Sequence, residues 1–90
     1  MEHFFSDVPG LGSVAVSRHA QARCAEEQIS EYAFTRVLTQ PIRPDVPDGP
    51  DVLWRERDGI RVVILTNPTP NHGAKLVKTV YRVQPQAKAV

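Results

Sequence analysis

Asp58-Gly59 separates two β-rich runs, Trp54-Arg55-Glu56-Arg57 and Ile60-Arg61-Val62-Val63-Ile64-Leu65, and constrains this chain more than any other feature. Asp and Gly both enter the left-handed backbone region that a two-residue hairpin turn demands, so the spacing predicts a tight antiparallel hairpin. Such a turn also sets register. A slip of one residue would send Ile60, Val62 and Ile64 to the wrong face of the sheet. A third β-type run, residues 74 to 83, follows the loop Asn67-Pro68-Thr69-Pro70-Asn71-His72-Gly73, and the three runs read as an antiparallel meander.

Upstream the pattern is helical. Ser17 is a good N-cap, and residues 18 to 27 are mostly helix formers. Ile29-Ser30 breaks that pattern and restarts it. Ser30 caps a second helix in which Ala33, Phe34, Val37 and Leu38 recur as one apolar stripe, and Pro41 ends it. Residues 41 to 50 contain four prolines and a glycine and read as an extended surface loop. Residues 1 to 12 carry Pro9-Gly10-Leu11-Gly12 and no period, so they read as a lead-in pinned by Phe4 and Phe5. Residues 13 to 16 read as a possible extra strand, and residues 84 to 90 as a polar tail. The expected architecture is therefore α+β. Two N-terminal helices pack on a small three- to four-stranded antiparallel sheet, in one domain of 90 residues with its core in 13 to 83.

Charge and cysteine usage narrow the function classes. No apolar stretch approaches the eighteen or so residues of a membrane span. Residues 1 to 7 lack the cationic start and apolar run of a signal peptide. The lone Cys24 excludes an internal disulfide and fits a reducing compartment, so the expected location is cytoplasmic. The formal net charge is only +1, whereas a dedicated nucleic-acid binder is usually more basic. The distribution is less even than the total. Arg55, Arg57, Arg61, Lys75, Lys78 and Arg82 fall in the β-unit, while acids gather at 26, 27 and 31 and at 45, 48 and 51. That asymmetry predicts a positive sheet face.

Two groups of residues are candidates for chemistry. His19 and Arg23 stand at i and i+4, about 40° apart around a helix that advances roughly 100° per residue. A histidine near its ordinary pKa exchanges protons at neutral pH, and a neighbouring guanidinium holds phosphate. The structural alternative has His19 supporting the helix start and Arg23 pairing with Glu27. On the last strand, strict alternation puts Leu76, Lys78, Val80 and Arg82 on one face and Lys75, Val77, Thr79, Tyr81 and Val83 on the other. Tyr81 offers a hydroxyl and a stacking ring beside Thr79; both also suit a core. Trp54 alternates with Val52 and reads as core, and His72 reads as a loop residue. No zinc or iron spacing and no Gly-rich phosphate loop occurs, so no metal or cofactor is expected.

Ser17-x-His19-Ala20-x-x-Arg23 followed by Ile29-Ser30, then Arg57-Asp58-Gly59-Ile60-x-Val62-Val63 and Lys78-Thr79-Val80-Tyr81, resembles a family of small bacterial and phage domains of unassigned function. That family is similar to the BrnT and RelE type toxins, and the resemblance covers about residues 13 to 83. It implies a RelE-like fold and metal-independent RNA cleavage, in which a 2′-hydroxyl attacks the neighbouring phosphate. His19 matches the family's helix histidine and Arg23 its arginine. Thr79 and Tyr81 match polar positions of the closing strand. The chain departs from that pattern in its low net charge and in carrying Glu27-Gln28 where a second arginine is common.

Two expectations follow. In the first, the protein is a toxin-type ribonuclease held by an antitoxin; His19 is the acid/base, Arg23 steadies the phosphate, Tyr81 orients the nucleotide or shares proton transfer, and Lys78, Thr79, Arg82 and Arg61 bind RNA. In the second, it is a non-catalytic phage- or plasmid-encoded inhibitor that binds a host protein or nucleoprotein complex. The two separate on whether His19, Arg23 and Tyr81 converge on one open cleft. Oligomeric state is left open.

Overall fold

Asp58 and Gly59 both take positive φ, 52° and 76°, and close a two-residue hairpin in which Arg57 faces Ile60 across the turn. The computed structural model describes residues 3–67 and 74–83. In chain order the elements are β1 (Phe4–Val8), β2 (Gly12–Val16), α1 (Arg18–Glu26), α2 (Glu31–Thr39), β3 (Val46–Pro47), β4 (Val52–Arg57), β5 (Ile60–Leu65) and β6 (Lys75–Arg82). The strands form one six-stranded sheet in the order β1-β2-β6-β5-β4-β3.

This corrects the expected RelE-like architecture. The helices follow two strands and are not N-terminal, and the sheet is mixed because β2 runs parallel to β6. Residues 1 to 12 are not a lead-in. Pro9 and Gly10 occupy the two central positions of a turn closed by the Leu11 N–H on the Val8 carbonyl at 2.9 Å. Gly10 supplies the φ of +79° that position requires. The strand signal of β1 is obscured because Asp7, at φ 56°, sits where the β1–β2 register shifts between Phe5 and Val8. In the Pro-rich segment, Val46 and Pro47 form the opposite edge of the sheet, a position where proline is tolerated.

The helices start where their caps predict. Ser17 Oγ accepts from the Ala20 N–H at 3.0 Å, and Ser30 Oγ accepts from the Ala33 N–H at 3.1 Å. The end of α1 is a Schellman motif built on a non-glycine residue. The Ile29 N–H reaches the Cys24 carbonyl at 2.8 Å, the Gln28 N–H reaches Ala25 at 3.2 Å, and Gln28 holds φ 56°.

Both helices pack on one face of the sheet, α1 over β6 and α2 over β4 and β5. Ala20 and Cys24 of α1, and Phe34, Val37 and Leu38 of α2, join Val14, Val62, Ile64, Val77 and Val80 in a single core. Phe5 enters it from β1, its ring centroid 5.9 Å from that of Phe34.

Strict alternation fails along β6. Val63 pairs with Thr79 while Ile64 pairs with Val77, so Lys78 is the extra residue of a β-bulge. Val77 and Val80 therefore both reach the helix-covered core, fully buried. Thr79 and Tyr81 are turned to the opposite face together with Leu76, and Val77 is not their neighbour in orientation.

Candidate functional surfaces

Arg82 and Arg57 flank Ile60 on one row of the sheet, and each reaches a helix C-terminus. Arg82 Nε donates to the Glu27 carbonyl at 3.0 Å and Nη2 to the Gln28 carbonyl at 3.2 Å. Arg57 Nη1 donates to the Gln40 carbonyl at 2.7 Å. Arg55, 5% exposed, lies deeper. It donates to the Leu38 carbonyl, to the Pro9 carbonyl at 2.7 Å and to both carboxylate oxygens of Asp45 at 2.7 and 3.1 Å. The last carbonyls of a helix carry partial negative charge and lack intrahelical donors. These three arginines supply both the donors and the countercharge. Arg82, expected to bind RNA, is thus anchored to the helical layer.

On the same side, His19 is exposed in the first turn of α1. Arg23 donates to Glu26 Oε1 at 2.7 Å and to Glu27 Oε2 at 3.0 Å. The hydrogen bond to Glu26 and the charge of Glu27 raise its pKa above the ordinary arginine value. The expected i+4 partner is present, and Glu26 adds a second. Cys24 is 2% exposed, and burial pushes its thiol pKa up, which suits a core residue and not a nucleophile.

The face turned away from the helices carries a different set. Its first row runs across five strands as Phe4, Ala15, Leu76, Leu65 and Val52. The second is Thr79, Val63, Trp54 and Val46, and the third is Tyr81, Arg61 and Glu56. Arg61 lies with its guanidinium carbon 3.7 Å from the Trp54 ring centroid and 5.9 Å from that of Tyr81, and its Nη2 donates to Glu56 Oε1 at 3.0 Å. Burial lowers the Arg61 pKa, but the interactions with Glu56 and Tyr81 outweigh it and the net shift is upward. Its Nε is buried without a hydrogen-bond partner, stacked instead against the π-face of Trp54. Val63 is only 8% exposed although no helix covers it; its neighbours on the face do so.

The sheet therefore divides the expected site. Arg61, Thr79 and Tyr81 share the helix-free face. His19, Arg23 and Arg82 belong to the helical side. Lys78 is exposed in the bulge, where its carbonyl accepts from Ser17 Oγ at 3.3 Å. His72 lies outside the described residues. Among the described residues there is no pocket and no group of three His, Cys, Asp or Glu side chains placed to hold a metal, and no helix is long and apolar enough to cross a membrane.

Sequence reasoning missed the helix-free face. Trp54 and Val52 do share an orientation, but toward this face and not the core. The signal was the unbroken run Val62-Val63-Ile64-Leu65, since a strand apolar at every position has two apolar faces. Comparison with protein-family models, characterised proteins and solved structures returns no match.

Proposed function

We propose that this protein acts by contact, as a non-catalytic inhibitory module that binds a protein or nucleoprotein complex of its host. The observation that carries this reading is the division of the candidate residues by the sheet. RNA cleavage through a 2′-hydroxyl needs a base, an acid and a cation within hydrogen-bond reach of one phosphate. Tyr81 faces one way with Arg61 and Trp54, while Arg23 is engaged by two glutamates beside α1. The basic residues of the β-unit are drawn into helix ends and ion pairs, which favours a folding role for most of that charge.

The test is RNA integrity. Folded wild-type protein incubated with total RNA is expected to leave it intact, and a growth defect caused by expression is expected to persist in His19→Ala and Arg23→Ala. Cleavage by the wild type that disappears in His19→Ala would restore the ribonuclease reading.

A further inference from the structure

We infer that the helix-free face of the sheet is a self-association surface, covered by the same face of a second copy of this chain. The inference goes beyond the binding-module reading and does not rest on it.

Three observations carry it. The first is the double apolarity of the sheet. Leu76, Leu65 and Val52 continue the row of Phe4 and Ala15 on the face opposite the core, with Val63 and Trp54 in the next row, and Phe4 is 50% exposed. A strand with one solvated face normally alternates apolar and polar, whereas β5 carries Val62 and Ile64 on the core face and Val63 and Leu65 on the other. Sheets bury such a face by stacking about 10 Å from another sheet.

The second is charge. The cation Arg61 is neutralised on the face by Glu56 at 3.0 Å. A two-fold axis that lays the face on its own copy therefore opposes two neutral pairs and incurs no like-charge penalty from them. Single-stranded nucleic acid fits less well, because the guanidinium already occupies one side of the Trp54 ring and is already paired.

The third is area. Strands of two to eight residues, at about 3.3 Å per residue and about 4.8 Å apart, present a face on the order of 500 Å² in projection. Side-chain relief raises the accessible area, so two copies bury on the order of 1,000 Å² in total, where specific interfaces begin. Association is accordingly expected to be weak and concentration-dependent.

Sedimentation velocity from micromolar to millimolar protein tests this directly. The wild-type mass is expected to rise from 10.0 kDa toward twice that value. Emission from Trp54, the single tryptophan, should shift to the blue over the same range. Leu65→Asp and Leu76→Asp are expected to stay monomeric throughout. Phe4→Asp, at a half-exposed margin where folding is not at stake, is expected to move the midpoint at least fivefold to higher concentration. Tyr32→Ser, on the outside of α2, should leave it unchanged. A wild type that remains at one chain mass up to millimolar overturns the inference, as does a folded Phe4→Asp with an unchanged midpoint. A monomer whose Trp54 emission responds to a single-stranded oligonucleotide would assign the face to nucleic acid and overturn it as well. None of these outcomes depends on whether RNA is cleaved.

Discussion

Arg55 and Asp45 form a two-pronged ion pair, 2.7 and 3.1 Å, that ties the middle of β4 to the Pro-rich segment before β3. The remaining donors of Arg55 reach the C-terminal turn of α2 and the turn between β1 and β2. One buried guanidinium thus joins four parts of the chain that are remote in sequence. It also explains Gly10, where an added Cβ would lie 2.9 Å from Arg55 Nη2.

Removing Asp45 leaves the buried Arg55 guanidinium with carbonyl partners but no countercharge. Asp45→Ala is expected to destabilise the fold by about 3 kcal/mol, and Arg55→Lys by a similar amount because lysine lacks the fork that reaches two oxygens. Urea denaturation of the two variants checks this. A loss below about 1 kcal/mol for both would mean that the pair contributes no more than an exposed one.

Gln28 holds a left-handed conformation at the C′ position of α1, where glycine is favoured. Gln28→Gly relieves a cost of about 1–2 kcal/mol and loses part of that gain in chain entropy. The expected net is a stabilisation of roughly 0.5–1 kcal/mol. The backbone carbonyl that accepts from Arg82 is retained, so thermal and urea midpoints should both rise.

Deleting Lys78 is expected to leave the protein folded. The bulge makes Lys78 the extra residue of β6, and its removal lets Val77, Thr79 and Val80 alternate in, out, in without turning any of them. The cost is the bond from Ser17 to the bulge carbonyl, on the order of 1 kcal/mol. Deleting Val80 instead should unfold the protein or force a register slip, because Thr79 or Tyr81 would have to take its buried place opposite Val62. Circular dichroism and amide proton dispersion separate the two outcomes.

Cys24 gives the stability a component that depends on pH. Burial raises its folded pKa above the unfolded value, so between the two the folded state holds the proton and the unfolded state has lost it. Stability from this group is complete below pH ~8.5 and falls as pH rises through the folded pKa. Urea titrations from pH 7 to 10 should show a steeper decline for the wild type than for Cys24→Ala. Parallel curves would mean that the thiol does not ionise differently in the two states.

The hairpin at Asp58-Gly59, the caps Ser17 and Ser30 and the apolar stripe of α2 were all legible, because each is decided within a few residues by backbone preference or by hydrogen bonds to near neighbours. The sequence by itself also determined that Val62 to Leu65 is apolar on both faces. Tertiary structure alone decided the rest. The parallel pairing of β2 with β6 joins segments about sixty residues apart, and no local periodicity records such a partner. The bulge at Lys78 arises where β6 must meet β5 and the start of α1 together, and it turned Thr79 and Tyr81 away from the helices that carry His19 and Arg23. Arginine composition predicted a positive face, but the helix carbonyls and carboxylates that took up those charges come from segments the chain brings alongside only on folding.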